Sequence, residues 1–121
     1  MKPVKRGDRI VVNINQAEFE PYIGSNGETD GYALQLDRSV PLGTGFHVYK
    51  MEPGYTTIPH EHGHDEHFLV VSGDITDNDG TVYREGDLVL MKAGTQHCSY
   101  SESGCVVVVY IEPGEDAFKP V

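Results

Sequence analysis

At 121 residues, with 38% apolar positions, 14 Gly and 7 Pro, the chain is long enough for one hydrophobic core and has the composition of a globular protein rather than a disordered one. Its formal charge of −10 comes from 19 Asp and Glu spread along the sequence against 9 Lys and Arg, a field that repels phosphate and excludes nucleic acid as the expected partner. No apolar run approaches the roughly 20 residues that cross a bilayer, and the opening MKPVKRGDR lacks the apolar core of a signal peptide, so no membrane association and a cytoplasmic location are expected.

In chain order, apolar and β-branched runs of strand length recur: RIVVNI (9–14), GYALQL (31–36), GFHVYKM (45–51), HFLVVSG (67–73), GTVYREG (80–86), DLVLM (87–91) and GCVVVVYIE (104–112). Between them stand SNGETDG, PLGTG, EPGY, DNDG, REGD, KAGT and SESG, rich in the residues that tight turns require. No helical period persists, so the spacing predicts an all-β sandwich or barrel, with residues 1–121 as a single domain. Residues 45–51 alternate; with Lys50 reaching water, His47, Tyr49 and Met51 share the inward face. His47 and Tyr49 are then candidate pocket residues, a merely packed pair being the alternative. Residues 106–109 are apolar on both faces, which requires a second covering layer and predicts a homodimer, with exchange of the strand around 9–14 as one route. Cys98 and Cys105 are not spaced as a CxxC pair; a disulfide across a hairpin is one reading, and reduced thiols are the cytosolic default.

The chemistry concentrates in HEHGHDEHF (60–68), which holds four of the six histidines around Glu66. If this stretch is extended, His60, His62, His64 and Glu66 point to one side and Glu61 and His67 to the other. Imidazoles and a carboxylate converging on one side are what a divalent transition metal takes as ligands. A barrel interior has no cheap alternative use for so many of them.

These residues carry a resemblance to the cupin superfamily. The stretch from Gly54 to Gly73 fits the first cupin motif, G(X)5HXH(X)3-4E(X)6G, at all its fixed positions. The second, G(X)5PXG(X)2H(X)3N, is met through Gly86, Gly94 and His97, with Lys92 in place of proline and Ser101 in place of asparagine. The resemblance implies a double-stranded β-helix, or jelly-roll barrel, with motifs over 54–73 and 86–101. It further implies His60, His62, Glu66 and His97 as ligands of one divalent ion, iron(II) preferred, with manganese, nickel or zinc as alternatives. The stretches SGDITDNDGTVYREGD, GTQH and SESGC resemble the branch holding the cupin domain of ChrR-type anti-sigma factors, close to small diketone-cleaving iron dioxygenases. Anti-sigma proteins carry a separate helical sigma-binding domain, which this sequence does not contain. The resemblance is therefore expected to extend to fold and metal site and not to that partnership.

Two further histidines have alternative placements. His64 is expected as a solvated residue near the barrel mouth, and His67 would replace Glu66 only if a bulge shifted the strand. Tyr100 and Cys98 lie opposite His97 by parity and receive no catalytic role. Four ligands on a metal that prefers six leave two positions for substrate or dioxygen. The expected function is a non-haem iron dioxygenase acting on a small oxygen-rich compound of the diketone or hydroxyketone type; no separate strong base is required of the protein, and Glu66 could release and accept a proton if its bond to the metal loosens. A non-enzymatic metal or small-molecule sensor is the alternative from another class, and a metal-dependent isomerase or lyase the third.

Overall fold

Strands form where apolar residues alternate and a neighbouring strand is within reach to satisfy the backbone. The computed structural model, which describes residues 1–121, has twelve strands and no helix. In chain order these are β1 (Glu20–Ile23), β2 (Thr29–Leu34), β3 (Gly45–Met51), β4 (Tyr55–Thr56), β5 (His60–His62) and β6 (Glu66–Asp77), then β7 (Val82–Arg84), β8 (Leu88–Met91), β9 (Gln96–His97), β10 (Ser99–Ser101), β11 (Cys105–Ile111) and β12 (Phe118–Pro120). Nine of them make one curled sheet in the order β1-β2-β3-β11-β6-β10-β4, with β7 and β8 also paired to β6; β12-β5-β9 make a second sheet of three. Every pairing is antiparallel. This is the double-stranded β-helix.

The expected strand at 9–14 does not form. Ile10 and Val11 are 64% and 81% exposed, because β propensity needs a neighbouring strand and this segment finds none in its own barrel. Strands β4, β5, β9, β10 and β12 are only two or three residues long and rich in polar side chains, too short for an alternation to show in sequence. β1 contains Pro21, which is tolerated because β1 lies at a sheet edge.

The core is Met51, Phe68, Val70, Ile75, Cys105, Val107 and Val109. It follows from the central β3-β11-β6 pairing, which sets Met51 beside Cys105, and Val107 and Val109 beside Val70 and Phe68. Each large side chain so buried contributes roughly 1.5–3 kcal/mol. On the outer face Phe46, Tyr110, His67 and Leu90 stand in one cross-strand row, with Val108, Leu69 and Leu88 in the next. Most of this face is uncovered: Phe46 is 68% and Leu88 77% exposed. Both cysteines are free thiols, and burial pushes the Cys105 thiol up to about 11, so it behaves as an apolar core residue.

β6 belongs to both halves of the barrel. Its first part pairs with β11 and β8, its last part with β7 and β10, and a bulge at Val71 followed by Gly73 turns it between them. Gly73 has φ +83°, and a Cβ there would lie 1.9 Å from the Gly104 carbonyl oxygen. Gly73→Ala is therefore expected to destabilise the fold by at least about 2 kcal/mol, through backbone strain added to a clash with fixed main chain. Urea unfolding followed by circular dichroism measures this.

Candidate metal centre

The second sheet builds the site. β5 and β9 pair with His60 opposite His97, and His62 follows His60 on the same face two residues later. The ring centroids lie 5.1 Å apart for His60 and His62, 4.7 Å for His60 and His97, and 4.8 Å for His62 and His97. Ligand nitrogens of the three all fall within 4.8 Å of one another.

Hydrogen bonds to the far side of each ring fix which nitrogen is free. His60 Nδ1 donates to the Ile58 carbonyl at 2.8 Å. The Thr95 hydroxyl donates to the Lys92 carbonyl at 2.8 Å, so it accepts from His62 Nδ1 at 2.9 Å. His97 Nδ1 donates to Asp77 Oδ2 at 3.1 Å. All three Nε2 atoms are thereby left as lone pairs, the tautomer that ligates a metal. His62 Nε2 is buried and has no hydrogen-bond partner, and Glu66 Oε1 faces it at 3.5 Å. An unpartnered imidazole nitrogen facing a carboxylate oxygen, beside two further imidazoles, is a donor set that suits a divalent metal ion.

The local electrostatics follow from these contacts. Burial, with the neighbouring imidazoles adding to it, lowers His62 to about 3; burial also lowers His60 and His47. At His97 burial acts in the same sense, but the hydrogen bond and charge of Asp77 outweigh it and hold the ring above its ordinary value. Burial would raise the Asp77 carboxyl, yet hydrogen bonds from His97, Ser99 and Tyr83 hold it low. Burial pushes Glu66 up to about 7.

The remaining histidines are elsewhere. The chain leaves the sheet between β5 and β6, so residues 60–66 are not one extended strand, and His64 does not share the face of His60 and His62. Its imidazole instead contacts Glu112 at 3.1 Å and Asp116 at 3.2 Å. Gly63 makes this crossing possible: its N–H donates to the Ala117 carbonyl, and a Cβ there would lie 1.8 Å from the Asp116 carbonyl oxygen. His67 is exposed on the outer face, in unbroken register with Tyr110, while Glu66 turns inward.

His60, His97 and Glu66 line a cavity of about 290 Å3, whose walls also include His47, Tyr49 and Met51. His47 Nδ1 donates to the Gly45 carbonyl at 3.0 Å and the Tyr49 hydroxyl to the Asp30 carbonyl at 2.7 Å, so both are held as walls. Sequence reasoning missed Asp77 and Thr95, which orient His97 and His62, and also Tyr22, Asp30, Glu115 and Phe118, which line the cavity. Thr95 lies inside the second motif, and Asp77 was legible only as a turn residue. Phe118 reaches the site because β12 pairs with β5, placing its ring 5.4 Å from that of His60.

Three imidazoles from HXH and GTQH, carried on a double-stranded β-helix, define a cupin barrel with a group able to hold a metal ion. The chain belongs to the ChrR cupin-like domain family, whose model matches residues 8–115. Its structure is similar to that of a conserved protein with a double-stranded β-helix domain from Klebsiella pneumoniae, at 24% identity and TM-score 0.58 over 78% of this chain and 85% of that one. It is also similar to Rhodobacter sphaeroides SigE in complex with the anti-sigma ChrR, at 17% identity and TM-score 0.61 over 80% of this chain and 50% of that one. A third likeness is to an acetylacetone dioxygenase from Acinetobacter johnsonii, at 11% identity and TM-score 0.61 over 90% of this chain and 76% of that one. At these identities the likenesses show the fold. No curated protein matches the chain.

Removing one inner nitrogen should abolish stoichiometric metal in His60→Ala, His62→Ala and His97→Ala, whereas His64→Ala should retain it. Asp77→Asn, which leaves His97 in place but loosens it, should weaken binding about 10- to 100-fold. Elemental analysis and competition with a chromophoric chelator measure both effects.

Acid should destabilise the metal-free protein. Below 6.5 the unfolded chain protonates His47, His60 and His62 while the fold keeps them neutral, so each draws stability down as pH falls. Glu66, raised from 4.5 to about 7, acts in the opposite sense over most of that window, but it is one group against three. His97, raised above 6.5, takes up its extra proton only above that pH. The melting temperature of chelator-treated protein should therefore fall between pH 6.5 and 4.5, and His62→Gln should flatten the slope.

Proposed function

We propose that the protein is a non-haem iron(II) dioxygenase acting on a small compound that binds the metal through two oxygens, of the β-diketone or hydroxyketone class. The observation that carries this reading is the convergence of three imidazoles, two of which, His60 and His97, line together with Glu66 a cavity sized for a small molecule. His60, His62 and His97 hold the ion in this reading, with Glu66 as fourth ligand. Iron bound there supplies Lewis acidity and reactivity toward dioxygen, and manganese, nickel or zinc suits the same donors. Glu66, raised to about 7 by burial, can hold or give up a proton near neutrality beside the ligand. Asp77 and Thr95 keep the imidazoles aimed, and Phe118 and Tyr22 keep water from the substrate side.

Membership of the ChrR cupin-like family favours a second reading, in which the site binds metal or a small molecule and reports occupancy to a partner protein. The two free thiols fit a reducing compartment such as the cytoplasm for either reading.

The uncovered apolar outer face supports a homodimer, since a monomer rarely leaves so continuous a patch in water. The exposed segment 9–14 of each copy is available to pair with the other.

In the dioxygenase reading, adding 2,4-pentanedione to anaerobic iron(II) protein produces a new charge-transfer band, and oxygen discharges it with measurable uptake. An unchanged spectrum and no uptake across a panel of diketones would move the reading to the sensor. For the dimer, light scattering at micromolar concentration should return twice the 13.3 kDa chain mass, and Leu88→Glu should reduce it to the monomer.

A further inference from the structure

The cavity is one-sided in charge. Of its 21 lining residues none is Lys or Arg, and its formally charged side chains are the carboxylates of Asp30, Glu66 and Glu115. Asp30 is a fixed part of the wall: its Oδ1 accepts from the Tyr55 hydroxyl at 2.7 Å and the Ile58 N–H at 3.0 Å, and its Oδ2 receives no hydrogen bond from the chain. Among the uncharged lining residues Tyr22, Tyr49, Phe118, Met51 and Val109 supply aromatic and aliphatic surface, beside the neutral hydroxyls of Ser25, Thr57 and Ser99. Tyr22 and Tyr49 meet edge to face, as do Tyr22 and Phe118, each pair at 6.4 Å, giving a rigid wall suited to an apolar group.

We infer that this cavity admits a chelating ligand that arrives uncharged and carries an apolar body, and that it excludes dicarboxylates. The inference rests on the chelation reading above and adds the charge and shape of the ligand. A dication held by three neutral imidazoles and one carboxylate has one positive charge left to neutralise. A diketone that releases one proton to the buffer on chelation supplies that single negative charge and turns its alkyl arms to the aromatic wall. A dicarboxylate supplies two, and the second lies in a cavity that has Asp30 and Glu115 and no cation to pair with it. The protein's charge of −10 opposes its approach from solution as well.

The test uses two ligands of one skeleton, 2,4-pentanedione and malonate, which form the same six-membered chelate ring. Each is titrated into cobalt(II)-loaded protein and followed through the visible spectrum of the metal. In water at neutral pH malonate has the advantage of being already ionised, so a reversed order reports the cavity. Pentanedione is expected to bind at least tenfold more tightly than malonate. Ser25→Arg places a cation at the rim, on an exposed turn residue that lines the cavity; with cobalt content unchanged, it should narrow that ratio at least threefold. Malonate binding as tightly as pentanedione, or a ratio untouched by Ser25→Arg, overturns the inference while the spectral change leaves chelation standing. A spectrum that responds to neither ligand removes the chelation reading and this inference with it.

Discussion

A buried nitrogen lone pair with no donor costs a fold roughly 1–3 kcal/mol, and His62 Nε2 is such an atom. The neighbouring hydrogen bonds ensure that it stays one. Thr95 has already committed its hydroxyl proton to the Lys92 carbonyl, so the only role left to its oxygen is to accept from His62 Nδ1. Asp77 is satisfied by Tyr83 and Ser99 before it receives His97, which fixes the carboxylate in place and through it the ring. The pairing of β5 with β9 brings His60 opposite His97, and the far end of β6 stands behind His97. The positions of the three rings come from main-chain register, and their orientation from partners on the side away from the cavity.

The same contacts give neighbouring imidazoles opposite proton affinities. His62 and His97 stand 4.8 Å apart, yet one is depressed to about 3 and the other is raised. The difference lies in what stands behind each ring, a neutral hydroxyl for His62 and a carboxylate for His97. Near neutrality the trio therefore offers two firmly neutral donors and one whose basicity is reinforced by its partner. A carboxylate behind a ligating imidazole increases electron donation to a bound cation, so His97 is the strongest single donor of the set.

The sequence showed the parts of this design that depend on strict spacing. HXH and GTQH mark backbone positions that must pair, and the Gly at 73 marks a close approach to Gly104, so motif and geometry coincide there. The alternation of 45–51 likewise placed His47, Tyr49 and Met51 against the cavity. Long-range pairing left no comparable signal. Phe118 arrives through the pairing of β12 with β5, and Asp77 reaches His97 from 20 residues away. Alternation alone put His64 on the face of His60 and His62, and the motif spacing left it out of the ligand set; the break at Gly63 that turns it away is a tertiary event, caused by contact with the segment at 116–117. The run at 9–14 had the residue types of a strand and lacked the adjoining strand. Lys92 and Ser101, which stand where the cupin motif has proline and asparagine, leave the histidines in place: the Lys92 carbonyl anchors Thr95, while the Ser101 hydroxyl is buried without a hydrogen-bond partner.

The curl of β6 has one more implication. A straight strand of its length would separate its ends by about 36 Å, yet Glu66 at one end and Asp77 at the other meet the same trio of rings, through His62 and His97 respectively. The strand is a hoop whose two ends are brought together around the site. No fragment holding only one half of the barrel can assemble this centre, and partial unzipping of either half pulls one end away. The geometry of the three rings is thus a gauge of whole-barrel integrity, and an ion held by them would act as a clasp between halves of the molecule that are joined by bent backbone.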